Sequence, residues 1–274
     1  MTVINTNVSA LRAQNGSRMA NEALSTAMER LSSGKRINSA KDDAAGLAIS
    51  SSMTSQIRGM TQAVRNANDG ISMAQTADGA LDEVTNMLQR IRELSVQAAS
   101  GTYQTSDRTN LQTEVTALAS QITSITSNTK FNGVGLFTGS AGSSGTVTIQ
   151  TGSSSGDTVS MDFTQLDLSA VSSVNIADST GAGATAALTS LDTLITTVGT
   201  KRATLGAAES RLGSVVNNLT SNITNLTDAR SRIEDADFGT ETTNLAKAQI
   251  LSQASTAMLA QANQSQQSVL KLLQ

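Results

Sequence analysis

Seven apolar residues in the C-terminal part of the chain stand seven residues apart, and this spacing limits the possible folds more than any other feature. The ladder consists of Leu191, Val198, Leu205, Leu212, Leu219, Leu226 and Ile233, with Leu194, Ala208, Val215 and Ala229 at companion positions. A repeat sustained over several heptads is typical of a coiled coil, because it keeps one apolar stripe facing a partner helix. We therefore predict a C-terminal rod helix within residues 188–236, with the ladder as its seam.

The composition also favours thin seams between helices. Aromatic residues make up only 2% of the 274 residues, and the apolar side chains are mainly Ala, Leu, Ile, Val and Met. Aromatic anchors dominate thick cores, whereas small and branched aliphatic residues suffice between two helices. The expected fold is mainly α: an elongated rod of long antiparallel helices, with coiled-coil terminal helices and a small β-rich insert.

A helical hairpin is predicted within residues 43–130. Apolar residues recur every three or four positions from Ile57 to Ala98, and again from Leu111 to Ile125. The two runs are separated by Ser100-Gly101-Thr102. Two long helices joined by a short loop that contains glycine form an antiparallel pair.

The helical spacing stops at Asn128, and residues 131–187 are rich in Gly, Ser and Thr. Two short runs alternate with a period of two, Val147/Ile149 and Val159/Met161/Phe163. Such runs, separated by a Gly/Ser segment, predict short strands in a β-rich insert. The alternative interpretation is that this low-complexity segment is disordered.

Both chain ends, residues 1–42 and 237–274, carry apolar residues at helical spacing. The first helix should end near Gly34, and Lys35 to Asp43 should form a polar connector that caps the next helix, with acidic residues in its first turn. Nothing obvious in the chain covers the terminal stripes except each other, so we expect them to carry assembly contacts. The residues predicted to do so are Ile4, Val8, Leu11, Leu24, Met28, Leu31, Leu245, Leu251, Met258, Leu259, Val269, Leu270, Leu272 and Leu273.

Most side chains that build active sites are missing. The chain has no histidine and no cysteine, which excludes imidazole catalysis, thiol nucleophiles, disulfides and the usual zinc ligands. Ser and Thr are abundant but lie in no nucleophile motif, and the acidic run from Glu234 to Asp237 lacks the spacing of a calcium loop. We predict no enzyme activity, no catalytic residue, no cofactor and no metal site.

Charge and hydropathy restrict the partners. The 19 Lys+Arg and 22 Asp+Glu residues give a net charge of −3, which does not favour nucleic acid or an anionic membrane. No apolar run approaches the roughly 18 residues of a membrane span, and the first residues lack the basic and apolar regions of a signal peptide. We expect a soluble chain with no cleavable leader, and we expect it to bind neither nucleic acid nor a membrane.

Several segments resemble bacterial flagellin. In the N-terminal half they are INTN (Ile4–Asn7), LSSGKRINSAKDDAAGLAIS (Leu31–Ser50), RNANDGISMAQTADGAL (Arg65–Leu81), LQRIRELSVQAASGT (Leu88–Thr102) and FNG (Phe131–Gly133). In the C-terminal part they are NLTSNITNLTDARSRIEDADF (Asn218–Phe238) and AQILSQASTAMLAQAN (Ala248–Asn263). The resemblance covers residues 3–137 and 188–273. One departure is Gln266, which stands where flagellins usually have a proline.

The resemblance implies a secreted, extracellular structural subunit that self-assembles into the bacterial flagellar filament for motility, with its paired ends lining the filament core. It also implies export in the unfolded state through the flagellar type III channel. The implied partners are further copies, sister flagellins, an export chaperone, the filament cap and the hook-filament junction proteins. Because the predicted seams lie outside the insert, we expect residues 139–183 to be dispensable for polymerisation.

The resemblance further implies a patch that a host Toll-like receptor recognises, formed by Gln89, Arg90, Leu94 and Glu114. Arg90 and Leu94 are four residues apart and so share one helix face, and an antiparallel helix can bring Glu114 alongside. In this hypothesis Leu94 is the apolar anchor and Arg90 a directional donor. The competing interpretation is that Leu94 belongs to the helix seam, whose spacing it also fits.

Other functions are less consistent with the sequence. A hook-filament junction protein shares weaker versions of the same end segments, but the strong C-terminal match and the short insert favour the filament subunit. A metalloprotease within the insert would need histidines, which the chain lacks. A coiled-coil adhesin would continue its heptads through the insert.

Overall fold

A computed structural model of the chain describes residues 6–271, with the backbone alone for residues 266–271. The long helices are α1 Val8–Ser33, α2 Ala44–Ala99, α3 Thr105–Asn128, α4 Ala182–Glu234 and α5 Phe238–Lys271. The strands are β1 Lys130–Phe131, β2 Val134–Gly135, β3 Thr146–Gln150 and β4 Thr158–Asp162, and Ser169–Ser173 form a 3-10 helix. The predicted mainly α class with small strand pairs is confirmed.

The chain divides into two compact units. The terminal unit comprises residues 1–57 and 224–274, and the central unit comprises residues 58–223. Helices α2 and α4 each contribute residues to both units.

In the central unit, α2 and α3 form the predicted antiparallel hairpin. Arg90 Nε lies 2.8 Å from Glu114 Oε1, and Arg108 Nε donates to Ala98 O at 2.8 Å. The sequence separation of these pairs falls from 24 to 10 residues toward the connecting loop, as an antiparallel pair requires. Val115, Ala119 and Ile122 of α3 are buried.

Helix α4 runs antiparallel to α2 within the same unit. Arg92 Nε lies 2.7 Å from Asp192 Oδ1, and Arg202 Nε lies 2.8 Å from Asp78 Oδ1. Of the ladder, Leu191, Val198, Leu205, Leu212 and Leu219 are buried, whereas Leu226 and Ile233, which lie in the terminal unit, are half-buried. The heptad spacing thus marks the buried stripe of α4 through the central unit.

The insert is folded and belongs to the core of the central unit. Strands β3 and β4 pair antiparallel with Ile149 opposite Val159, and inward-facing residues alternate along β4. Met161 and Phe163, exposed by 1% and 0%, lie in the same hydrophobic cluster as Leu81 and Leu205 of the helices. The premise that the seams lie outside the insert is therefore wrong, because the insert supplies side chains to the helical core.

Helix α4 begins at Ala182, six residues before the position that the ladder alone suggested. The Asp178 carboxylate accepts hydrogen bonds from the Ala182 N–H at 3.0 Å and from the Thr180 hydroxyl at 2.7 Å. A helix start is set by such polar caps as well as by apolar spacing, and the spacing alone therefore places the start of α4 too late in the chain.

A short hairpin precedes the larger one. Strands β1 and β2 pair through Phe131 and Val134, and the two residues between them, Asn132 and Gly133, have φ of 49° and 82°. Asn-Gly is the preferred sequence for a two-residue hairpin loop because both positions need positive φ. This signal lay in the FNG segment, but the periodicity did not predict the hairpin.

A buried arginine closes the end of the hairpin. Arg108 is 3% exposed, and its guanidinium donates to the carbonyl oxygens of Ala98, Ser100, Asp178 and Ser179 at 2.8 to 3.2 Å. These carbonyls belong to the C-terminal end of α2 and to the loop before α4. One side chain therefore ties two connections of the central unit together.

The substitution Arg108→Lys is expected to lower the free energy of unfolding of the central unit by about 2–4 kcal/mol. The lysine ammonium cannot reproduce the planar set of guanidinium donors, so some of the buried carbonyls would be left without a hydrogen bond. Urea denaturation measures the change. The control is Arg65→Lys, at an exposed position of α2 where the guanidinium donates to the Gln62 side chain. Equal midpoints for both variants would contradict the structural role of Arg108.

An ion pair joins the insert to α4. Lys201 Nζ lies 3.0 Å from Asp162 Oδ1 and 2.9 Å from Thr164 Oγ1. Burial acts to raise the pKa of Asp162, but the hydrogen bonds from Thr164 and then the Lys201 ammonium outweigh it and lower this pKa to about 2 from an ordinary 3.8.

Because the pKa of Asp162 is lower in the folded chain than in the unfolded chain, its contribution is complete above about pH 4 and is lost as the pH falls to about 2. We therefore expect the Asp162→Asn variant to lose less stability than the native chain between pH 4 and pH 2. Thermal unfolding across this range tests it, with Asp69→Asn at an exposed α2 position as control. Parallel profiles for the native chain and Asp162→Asn would refute the assignment.

In the terminal unit, the connector after α1 pairs with the α4–α5 connection. Gly34 ends α1 with φ of 70°, and Lys35 forms a β-bridge with Asp235. Asp43 caps α2 by accepting from the Gly46 N–H at 2.8 Å. The predicted connector and cap are confirmed, but no acidic residue lies in the first turn of α2, because Asp42 instead accepts hydrogen bonds within the connector.

Candidate assembly surface

Helices α1 and α5 of the terminal unit pack side by side and antiparallel. Asn7 Nδ2 donates to Ala262 O at 3.1 Å near one end of the pair, and the Ser252 hydroxyl donates to Asn21 Oδ1 at 3.0 Å in the middle. Toward the other end, Arg30 lies 3.8 Å from Glu241, which is 7% exposed. The two predicted terminal helices therefore cover each other, as the sequence suggested.

The seam between α1 and α5 consists of small residues. Ala20, Ala27, Ala248 and Ala262 are exposed by 4%, 1%, 2% and 8%. At Gly16, a Cβ atom would come within 3.3 Å of Ser255 Oγ. Small side chains allow two helices to approach closely, and they leave no room in the seam for the larger apolar residues of the same helices.

Five of the nine predicted assembly residues whose side chains are described therefore lie away from the seam. Val8, Leu11, Met28, Leu251 and Met258 are exposed by 46%, 53%, 57%, 47% and 63%. Leu24, Leu31, Leu245 and Leu259 are half-buried. Ile4, Leu272 and Leu273 lie outside the described residues, and Val269 and Leu270 lie in α5 with side chains that are not among those described. The exposed five therefore take no part in the α1–α5 seam, and their assembly contacts stay a prediction.

Four more outward-facing apolar residues were not singled out from the sequence. Met19, Ile49, Phe238 and Ile250 are exposed by 67%, 48%, 71% and 66%. Phe238 begins α5 directly after Asp237, whose carboxylate accepts from the Gly239 N–H at 2.9 Å. For Met19 and Ile250, which lie on α1 and α5, the position relative to the buried alanines is the signal that indicates an outward-facing side chain.

The exposed apolar residues lie on more than one side of the α1–α5 pair. Val8, Leu11 and Met19 share one side of α1, since eleven residues span about three turns. Met28 lies on another side of α1, and Leu251 shares one side of α5 with Met258. A groove of about 600 Å3, lined by Met19, Ala23 and Leu251 among others, follows one flank of the seam.

The acidic run beside this pair has local partners. Glu234 pairs with Lys35, the Asp235 carboxylate accepts from the Ser231 hydroxyl, and Asp237 caps α5. The hydrogen bond from the Thr240 hydroxyl, followed by the N–H groups of Thr240 and Gly239, lowers the pKa of Asp237. Within residues 6–271, no group of three or more Asp or Glu side chains is arranged to hold a metal ion.

Residues 4–142 match the N-terminal helical region of bacterial flagellin, and residues 188–273 match its C-terminal helical region. The chain belongs to the bacterial flagellin family. A flagellin from Serratia marcescens is 42% identical, and the match covers 99% of both chains. Flagellins from Salmonella muenchen and Escherichia coli are 51% and 50% identical over 60% of this chain, which spans 32% of the length of each relative.

One solved flagellin structure agrees with this assignment, and a second structure shares the fold. The crystal structure of Bacillus cereus flagellin superposes with a TM-score of 0.51 at 34% identity, covering 61% of this chain and 94% of that one. A Vibrio parahaemolyticus structure described as a flagellar hook-associated protein has a TM-score of 0.60 at 18% identity, covering 71% and 100%. The second similarity is one of fold alone.

Flagellins are structural proteins of an extracellular filament, so the prediction that the chain is not an enzyme is confirmed by its family. None of the helices between residues 6 and 271 is both long and apolar enough to cross a membrane.

The structure brings together only part of the receptor patch that the flagellin resemblance implies. Arg90, Gln89 and Glu114 are exposed, and Arg90 bonds Glu114 at 2.8 Å and Glu93 at 3.2 Å. The hydrogen bond to Glu114 is the main cause that raises the pKa of Arg90, and the bond to Glu93 raises it further. Leu94, which the hypothesis made the apolar anchor, is 1% exposed in the single chain and lies in the helical core, where its side chain fills the seam.

Proposed function

We propose that this chain is the subunit of a bacterial flagellar filament and that it self-assembles through the outward-facing apolar residues of its terminal unit. One observation carries the proposal. Of the eleven large apolar residues that are exposed among those described, nine lie in the terminal unit. Exposed apolar side chains concentrated in this way mark protein–protein contact surfaces, because covering them removes apolar area from water.

The arrangement favours an open polymer over a closed dimer. A two-fold dimer buries a single self-complementary patch, whereas a filament subunit uses different surfaces toward different neighbours. The apolar residues of α1 and α5 lie on several sides of the helix pair, so each copy has surface for more than one neighbour. The family assignment supports the same conclusion.

Export through the flagellar type III channel in the unfolded state is part of the proposal. The chain has no cysteine, so no disulfide forms that would hinder threading through a narrow channel. The proposed partners during and after export are an export chaperone, the filament cap, the hook-filament junction proteins and sister flagellins. A host Toll-like receptor that used the α2–α3 surface would contact Gln89, Arg90 and Glu114 and would leave Leu94 in the core.

Seeded growth tests the proposal against its alternative, a hook-filament junction protein. Purified chain is added to short flagellar filament seeds, and filament lengths are measured by electron microscopy. A filament subunit extends the seeds in proportion to the amount of chain added. A junction protein would stop after a short layer, and failure to extend the seeds at all would contradict self-assembly.

A further inference from the structure

Six of the nine methionines are either well buried in the central unit or well exposed in the terminal unit. In the central unit, Met60, Met73 and Met161 are exposed by 8%, 7% and 1%. In the terminal unit, Met19, Met28 and Met258 are exposed by 67%, 57% and 63%. Met53 and Met87 are half-buried, and Met1 lies outside the described residues.

The exposed three lie within the surface to which we assign contacts between copies. Met19 lines the groove of about 600 Å3 together with Leu251. Met258 follows Leu251 by two helical turns and so lies on the same side of α5. Met28 is on α1, on a different side from Met19. Each of the three thioethers is therefore open to solvent in the single chain, at a position where the proposed function requires an apolar contact.

A thioether in water is the substrate of a simple two-electron oxidation. Its sulfur attacks one oxygen of hydrogen peroxide, the O–O bond breaks, an S=O bond forms and one molecule of water leaves; the sulfide is oxidised and the peroxide is reduced. The product, methionine sulfoxide, is polar and chiral, and it disrupts methionine-rich interfaces. Methionine sulfoxide reductases restore the thioether.

We propose that Met19, Met28 and Met258 form an oxidation-sensitive site, at which peroxide converts the unassembled chain into a form that cannot join a filament. This inference rests on the proposed function, because the penalty arises only if these side chains are covered by neighbouring copies. The same contact protects the thioethers once a copy has been incorporated. Oxidation and assembly therefore compete for the same surface, and reduction by methionine sulfoxide reductases restores competence.

The test oxidises purified chain with hydrogen peroxide until mass spectrometry shows sulfoxide at Met19, Met28 and Met258 but not at Met60, Met73 and Met161. After removal of the peroxide, growth from filament seeds is measured. We expect the elongation rate to fall about tenfold or more, because a polar sulfoxide replaces an apolar group in each contact. Treatment with reductases for both sulfoxide epimers is expected to restore the rate.

Two triple variants make the test specific. The variant Met19→Leu/Met28→Leu/Met258→Leu keeps apolar side chains of similar volume but has no thioether at these positions, so its own elongation rate should be the same before and after peroxide. The variant Met60→Leu/Met73→Leu/Met161→Leu should lose elongation after peroxide as the native chain does. If the first variant does not elongate before oxidation, the three single Met→Leu variants replace it, and each should retain part of the native rate after peroxide.

Three results would overturn the inference. The first is an oxidised native chain that elongates at the untreated rate. The second is a Met19→Leu/Met28→Leu/Met258→Leu variant whose elongation peroxide inhibits as strongly as that of the native chain. The third is equal oxidation of these methionines in the free chain and in filaments, which would show that they are not covered. Untreated native chain that never extends seeds would instead refute the proposed function, and the inference would fall with it.

Discussion

Leu251→Asp is expected to raise the concentration of free chain that coexists with filaments about 100-fold or more, because an unpaired charge buried at a contact costs about 3–5 kcal/mol and each 1.4 kcal/mol is a factor of ten. Leu251 is 47% exposed in the single chain, so the substitution should leave the folded subunit intact. Sedimentation after seeded growth measures the free concentration, and circular dichroism checks the helix content.

The control for this prediction is Val134→Asp. Val134 is 40% exposed, but it lies in the hairpin of the central unit. It matches Leu251 in exposure and chemistry and differs in location, so we expect its effect on the free concentration to be less than about tenfold. An effect as large as that of Leu251→Asp would show that the terminal unit has no special role in the contacts.

Phe163→Ala is expected to lower the free energy of unfolding of the central unit by about 3–5 kcal/mol, the usual cost of removing a large buried side chain and leaving a cavity. Phe163 comes from the insert, is 0% exposed and packs in the helical core. The fluorescence of Tyr103, the only tyrosine of the chain, reports on this unit during urea denaturation.

Phe238→Ala is the matched control. It is the same substitution at a residue that is 71% exposed and lies in the terminal unit. We expect the unfolding free energy to change by no more than about 0.5 kcal/mol, because an exposed side chain loses little packing when truncated. If Phe163→Ala had an effect as small as that of Phe238→Ala, the insert would not be part of the core.

The sequence was informative wherever a periodic stripe is covered within the same unit. The heptads from Leu191 to Leu219 are buried, and the loop at Ser100-Gly101-Thr102 separates two antiparallel helices. Both features follow from local rules: the apolar period of a helix and the residues that end it. For the same reason the strands at Val147 and Val159 were predicted correctly from their period of two.

The terminal helices show why a stripe alone does not locate a contact. Periodicity indicates which residues are apolar, but not which partner covers them. In α1 and α5 the alanines, including Ala27 and Ala248, form the seam within the chain, and Leu11 and Leu251 are left outside. Leu94 is the opposite case. It matches a recognition motif, but its side chain is buried in the core of the chain.

Long-range polar contacts also lay beyond the sequence. Arg108 looks like any charged residue on an amphipathic helix, yet its guanidinium is buried by carbonyls that lie 70 and 71 residues away in the chain, at Asp178 and Ser179. The packing of the insert was equally hard to predict. Its composition suggested low complexity, but a few buried residues such as Phe163 and Ile176 anchor it to the helices. Such contacts depend on how the chain returns on itself, which no local pattern encodes.

In the proposed filament, the outward-facing apolar residues of the terminal unit are covered by neighbouring copies. A helical reconstruction by electron cryomicroscopy of filaments grown from the purified chain measures this directly. We predict that the side chains of Val8, Leu11, Leu251 and Met258, all at least 46% exposed in the single chain, become buried against other copies. A filament in which these four side chains still face solvent would contradict the claim.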